Sequence, residues 1–287
     1  MNFADRLLEA SRAKRSIVVV GIDPQLDAVD TPGIPPGYTL TSFCCAVVEA
    51  CAPIVVAIKP QFAFFEARGF DGMRALRDVI RYGRHHGLLV IGDAKRGDIG
   101  STSAAYAEAI LGDGDFGCDA ATVNPYLGSD AMAPFVMRVT AGRGVFVLVK
   151  TSNPSSGEFQ DLDVSGRAVW ERVARRVHGW GSDYIGENSL SPVGAVVGAT
   201  YPEHARRARE LMPNATILVP GYGTQGGSDN DAVAGACTDG TGIIVSSSRS
   251  VMYAYKNLPG RSVGAAASEV AQSMRTSLNN ALSARAR

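Results

Sequence analysis

Eight short apolar runs recur along the chain, and most are followed by a stretch in which apolar residues return at helical spacing. The runs are SIVVVGID (16–23), IVVAIKP (54–60), LLVIGDAK (88–95), AATVNP (120–125), GVFVLVKTS (144–152), VGAVVGAT (193–200), TILVPGYG (216–223) and GIIVSSSR (242–249). They lack polar alternation, which fits strands buried on both faces, as in a parallel sheet covered by helices. Between them, TLTSFCCAVVEACAP (39–53) opens on a candidate cap at Thr39 or Thr41, and MRALRDVIRYGRHHG (73–87) stops at Gly87. GRAVWERVARRVHGWG (166–181) and PEHARRARELMP (202–213) end on Gly or Pro, and 263–286 reads as one more helix. Eight strand–helix units in 287 residues predict an α/β protein built as a (β/α)8 TIM barrel, a single domain over 1–287. An open doubly wound sheet is the alternative, although no G-x-G-x-x-G follows the first run. Insertions near 24–38, rich in Pro and Gly, and over 153–192 are expected to be loops that elaborate the active face.

Composition narrows the partners. Lysine plus arginine equals aspartate plus glutamate at 28 each, so no global field recruits nucleic acid or an anionic membrane, and a small molecule is the expected ligand. Cys44, Cys45, Cys51, Cys118 and Cys237 contain no C-x-x-C pair, so neither a disulfide framework nor a zinc site is suggested. The stretch MNFADRLLEASRAKR mixes charges in an amphipathic pattern without a signal-like apolar core, and the run from Ile17 to Val20 is too short to span a membrane. A cytoplasmic location is the expectation. His85, His86, His178 and His204 all fall in helical stretches expected outside the barrel, and none has H-E-x-x-H spacing. No metal ligand is assigned.

Catalytic groups of such a barrel stand where its strands finish. Asp23 ends the first run, Lys59 the second, Asp93 and Lys95 the third, and Asn124 the fourth; Lys150, Thr151 and Ser152 end the fifth. Asp93 and Lys95 are two apart, so their side chains leave the strand on one side, and Lys59 and Asp23 can join them from neighbouring strands. Asp98 lies past a glycine, at the expected opening of a helix. A purely structural ion-pair cluster, with Asp98 as a helix cap, is the competing reading. The seventh run leads into the glycine-rich GYGTQGG (221–227) with Gln225, and the eighth into Arg249 among serines. Loops after strands seven and eight often form a phosphate site in this fold, and an arginine fork suits a dianion. The alternative there is a mobile loop and an arginine paired to a carboxylate.

DAKRGDIGST (93–102) resembles the D-x-K-x-x-D-I-x-x-T signature of the orotidine 5'-phosphate decarboxylase family. GIDP (21–24), IKP (58–60), PGYGTQGG (220–227) and SRS (248–250) support the resemblance, which covers most of the chain. VNPYLGSD (123–130) and KTSNPSS (150–156) look like the longer, actinobacterial-type branch. The resemblance implies conversion of orotidine 5'-phosphate to UMP and carbon dioxide, without metal or organic cofactor, by a homodimer. It assigns Asp23 to the ribose, Lys59 to a ribose hydroxyl and the charge network, and Asp93 to the substrate carboxylate. Lys95 becomes the proton donor to C6. Asp98 and Thr102 would reach the partner's site, with Ile99 lining the base pocket. Ser152, or its neighbour Thr151 or Asn153, would contact the pyrimidine, Gln225 and Arg249 would clamp the phosphate, and Pro220 would belong to the substrate-binding set. Ser248 departs from the glycine that many relatives place before this arginine. Two rivals remain. One is a magnesium-dependent sister of the keto-gulonate phosphate type, which usually shows a carboxylate near the end of strand two, where this chain has Lys59. The other is a non-catalytic phosphate-binding barrel.

Overall fold

The computed structural model describes residues 1–25, 33–199, 201–223 and 228–285. Helix α1 (Phe3–Lys14) precedes the first strand. There follow β1 (Val18–Ile22), α2 (Leu40–Cys51), β2 (Ala57–Pro60), α3 (Phe62–Glu66), α4 (Gly69–His85), β3 (Leu89–Arg96), α5 (Gly100–Leu111), β4 (Ala120–Val123) and α6 (Ser129–Met137). The second half runs β5 (Gly144–Lys150), α7 (Gly157–Gln160), α8 (Val169–Gly181), β6 (Ser191–Val197), α9 (Pro202–Leu211), β7 (Ala215–Val219), α10 (Asp229–Ala232), β8 (Ile243–Ser247), α11 (Arg249–Met252) and α12 (Val263–Arg285).

All eight apolar runs become strands, each parallel to the next, and β8 closes on β1 with Val245 opposite Val18. The sheet is a closed (β/α)8 barrel rather than the open alternative. Two layers of apolar contact explain the unbroken runs. Val19, Ala57, Ile91, Ala120, Phe146, Val196, Leu218 and Ile244 form one buried cluster within the barrel, while alternate residues such as Val18, Val20, Ile58 and Val90 pack into the shell beneath the helices. With an apolar neighbour on either side, neither face of a strand has reason to be polar. The expected cap of α2 is Thr39: its side chain accepts from the Ser42 amide, and Ser42 reciprocates. Helix α4 starts four residues before the expected position 73, and the chain leaves it through Gly87 at φ +69°, where a side chain would be strained.

Helix α1 stops the N-terminal end of the barrel. Phe3 and Leu7 belong to the interior cluster, and the Phe3 ring meets Phe146 edge-on at 5.9 Å. A β-carbon on Gly144, the first residue of β5, would lie 2.2 Å from that ring, so glycine is what lets Phe3 seat. Buried Asp5 accepts hydrogen bonds from the backbone amides of Glu187 and Asn188 and from the Asn188 side chain. That contact narrows the expectation of active-face loops over 153–192: Asn153 and Gln160 do line the cavity at the C-terminal mouth, and the later part of the span lies elsewhere. Residues 169–181 are the crossover helix α8, as the helical pattern over 166–181 predicts, and 186–188 lie against α1 at the opposite end, because a parallel crossover must bring the chain back to where strands begin. Residues 26–32 of the other insertion lie outside the described residues. Among the described residues, no helix is long and apolar enough to cross a membrane.

Phe3→Ala should lower unfolding free energy by about 3–5 kcal/mol, the usual cost of emptying a buried aromatic site. Urea denaturation measures it. A loss below about 1 kcal/mol would mean that α1 does not seal the barrel.

Candidate active site

At the C-terminal mouth lies a cavity of about 470 Å³. Leu148, Val196 and Leu218, continuous with the interior cluster, give it apolar lining, and Lys59, Asp93, Lys95 and Thr122 bring polar groups from three adjacent strands. Asp93 is the hub. Its Oδ2 accepts from Lys59 Nζ at 2.5 Å, and its Oδ1 accepts from Lys95 Nζ at 2.5 Å and from the Thr122 hydroxyl at 3.0 Å. Lys59 and Asp93 are each 5% exposed, whereas the Lys95 side chain is 44% exposed, so one lysine is a buried counterion and the other presents its ammonium to the cavity.

Burial by itself would raise the pKa of Asp93, but the two ammonium groups outweigh it and hold the carboxyl far below the usual carboxylate range. Burial likewise opposes the charge on Lys59, and Asp93 with Asp23 reverses that, so the Lys59 pKa is raised. Asp23 behaves differently. Burial raises its pKa, Lys59 opposes and Asp93 reinforces, with the net shift upward. Its Oδ1 is buried and has no hydrogen-bond partner among the described residues, and Asp23 is not among the residues lining the cavity. The chain around it is held firmly: Asp23 N–H meets Met252 Sδ at 3.0 Å, Gln25 N–H donates to the Tyr253 hydroxyl at 3.0 Å, and Arg68 donates to the Pro24 and Gln25 carbonyls. Ser248 packs over Gly21, where a β-carbon would stand 1.9 Å from the Ser248 Oγ, and its hydroxyl also lowers the Asp23 pKa.

Lys95 has φ +49°, a left-handed conformation that costs a non-glycine residue roughly 1–2 kcal/mol. It sits where the β3–β4 register shifts between Gly92 and Arg96. Such irregularities re-aim side chains. Arg96 turns away to pair with Glu66 and to lie 5.5 Å from the Tyr106 ring, while Lys95 stays with Asp93.

At the end of β5, Thr151, Ser152 and Asn153 all line the cavity. Thr151 is already occupied: its amide donates to Gln160 Oε1, its Oγ1 accepts from Gln160 Nε2, and its hydroxyl donates to Asn153. No described residue hydrogen-bonds Ser152. Lys150 is buried and tied to Asp161 and Ser156, outside the cavity lining. Pro220 lines the far side. Arg249 begins α11, exposed and outside the cavity lining, and among the described residues it has no carboxylate partner. Gln225 lies outside the described residues.

Asp98, Ile99 and Thr102 do not line the cavity. Asp98 Oδ1 accepts the Ile99 amide at 2.8 Å, but the residue capping α5 is Ile99, so the side chain is no conventional cap. Ile99 is 58% exposed, beside a loop whose Tyr126 and Leu127 are also exposed; the two loops meet where Gly97 approaches the Asn124 carbonyl. Two polar lining residues, Thr122 and Gln160, are not signalled by charge at a strand end. Thr122 is a hydroxyl inside the apolar run AATVNP, two positions before Asn124, a faint signal; Gln160 carries none. Among the described residues, no three His, Cys, Asp or Glu side chains cluster to hold a metal ion.

The sequence profile described as the orotidine 5'-phosphate decarboxylase / HUMPS family matches residues 16–257. A Rhodopirellula baltica protein named orotidine 5'-phosphate decarboxylase is 43% identical over 273 residues, covering 89% of this chain and 90% of the relative. A Deinococcus radiodurans protein of the same name is 42% identical, with 98% of each chain covered. The solved structure of Leishmania donovani OMP decarboxylase superposes with a TM-score of 0.77 at 34% identity, covering 96% of this chain and 98% of that one.

Lys59→Met should cost about 3–5 kcal/mol at neutral pH, since it strands a buried carboxylate beside one half-exposed lysine. In the native protein Asp93 is depressed, so its contribution is present above about pH 4 and is lost only as pH falls through its much lower folded value. In the variant Asp93 protonates sooner, and the stability gap should narrow below about pH 4. Urea unfolding from pH 3 to 7 checks this; a gap that is absent or widens on acidification contradicts the buried pair.

Proposed function

Since the chain belongs to the orotidine 5'-phosphate decarboxylase / HUMPS family, we propose that it converts orotidine 5'-phosphate to uridine 5'-phosphate and carbon dioxide, the last step of de novo UMP synthesis. The observation that carries this is the Lys59–Asp93–Lys95 chain at the mouth of the barrel, with Lys95 open to the cavity. Within a family profile that also covers HUMPS enzymes, the lysine at the end of β2 favours the nucleotide decarboxylase over the metal-dependent sister reaction, whose enzymes usually show a carboxylate near there. The location is proposed to be cytoplasmic, where the nucleotide is made.

Loss of carbon dioxide from C6 leaves an electron pair in the plane of the ring, where the π-system does little to disperse it. Repulsion between Asp93 and the substrate carboxylate supplies about 4 kcal/mol for two like charges 4 Å apart at an effective dielectric near 20. Enzymes lower barriers by about 8–23 kcal/mol, so repulsion is the smaller share. The larger share comes from the Lys95 ammonium, whose attraction grows as negative charge gathers on C6 and which then delivers the proton there. Asp93 keeps that lysine charged and aimed. No cofactor is needed for this charge balance. Asp23 Oδ1 takes a ribose hydroxyl, with Lys59 beside it, and Ser152, the unoccupied hydroxyl of its trio, meets the pyrimidine. Gln225 and Arg249 clamp the phosphate, Pro220 lines the substrate cavity, and binding at the phosphate end steadies the reacting end.

The chain acts as a homodimer in this reading, with Asp98 and Thr102 completing the partner's site and Ile99 reaching its base pocket. Their position outside their own cavity, beside exposed Ile99, Tyr126 and Leu127, supports it.

Orotidine 5'-phosphate added with EDTA present should give the absorbance change of its conversion to UMP. Lys95→Ala should abolish turnover yet still bind UMP. Inactive native protein, loss of activity to EDTA, or an active Lys95→Ala enzyme each overturns the assignment. Co-expressed Lys95→Ala and Asp98→Ala chains should recover activity that neither homodimer has, because a mixed dimer carries both lesions in one site and leaves the other intact. About a quarter of native activity is expected from random pairing; no recovery means that Asp98 serves its own chain.

A further inference from the structure

Thr122 holds Lys95 at two points through one oxygen. Its Oγ1 accepts the Lys95 backbone N–H at 3.0 Å, and its hydroxyl hydrogen goes to Asp93 Oδ1 at 3.0 Å, the oxygen that also takes the Lys95 ammonium. The direction of both bonds is fixed by chemistry: an amide only donates, and an ionised carboxylate only accepts. A closed ring results, running from the Lys95 amide through Thr122 and Asp93 to the Lys95 ammonium. The residue is 1% exposed and lines the cavity.

The ring answers a need created by the backbone. Between Gly92 and Arg96 the β3–β4 register slips, so the Lys95 amide has lost the regular ladder and must find another acceptor. Lys95 also carries φ +49°, a conformation that persists only where its surroundings impose it. Thr122 supplies the acceptor and ties the imposed backbone to the carboxylate that orients the lysine's other end. We propose that Thr122 is a positioning residue for the reaction, one that acts through Lys95 by setting where its ammonium stands. This rests on the decarboxylase reading of the site.

Valine keeps the shape of threonine and removes both hydrogen bonds; serine keeps both and removes only a methyl. Thr122→Val should lower kcat about 10–100-fold, the scale expected from a small displacement of a reacting group, with KM and UMP affinity within about threefold of native. Thr122→Ser should retain kcat within about threefold. Should the valine variant fail to fold, Thr122→Cys against Thr122→Ser carries the same comparison, since sulfur is a poor partner for either bond. A purely structural role would lower the unfolding temperature and would not separate kcat from KM. Native protein assayed in parallel keeps the two failures apart. No turnover by the native protein overturns the functional reading, whereas native turnover matched by both hydrogen-bond-deficient variants overturns the role of Thr122.

Discussion

A carboxylate shared between two ammonium groups governs this barrel mouth. Lys59 could not remain charged at 5% exposure without an acidic partner in contact, and Asp93, equally buried, could not remain ionised without a cation. Each therefore requires the other, and the second oxygen of Asp93 is left for Lys95 and Thr122. The result is an unequal pair of lysines. One is consumed in neutralising the hub, and the other is oriented by it while its ammonium faces open space. An isolated flexible lysine would lose that orientation to rotamer entropy.

The barrel makes the arrangement affordable in structural terms. Parallel neighbours place the ends of β2, β3 and β4 side by side, so groups distant in sequence arrive within hydrogen-bonding reach without any long loop. The far end is closed by α1, with Phe3 against Phe146, so the apolar interior is continuous from that stop to Leu148, Val196 and Leu218 beneath the polar groups. Charges set above such a layer lie in a poorly polarisable medium on one side, which strengthens their mutual attraction. The slip in register at Lys95 is the local exception to this regularity, and it falls at the residue proposed to move the proton.

The parts of this design differed in how visible they were from residues alone. The eight strands were legible because a doubly covered parallel strand has no polar face, and Asp93, Lys59 and Lys95 were legible because charge at the end of such a run has few bland explanations. Thr122 was not, since a threonine suits a strand for ordinary reasons of shape and nothing local reveals that its hydroxyl meets an amide freed by a bulge. Gln160 was hidden for a different reason: its link to Thr151 depends on how the loop after β5 folds back. Within 153–192 the helix over 169–181 is legible from its apolar spacing, but only the crossover geometry shows where the chain passes from one end of the barrel to the other. Ile99 and Thr102 are exposed and stand outside the cavity lining.

The shared carboxylate can be observed directly by following the Asp93 carboxyl carbon by NMR through an acid titration of the ligand-free protein. Held between Lys59 and Lys95, it should keep the chemical shift of an ionised carboxylate at every pH at which the fold survives. A midpoint near 4, the value of an ordinary aspartate, or any higher one would show that the two lysines do not hold it, and the proposed chemistry of Lys95 would lose its foundation.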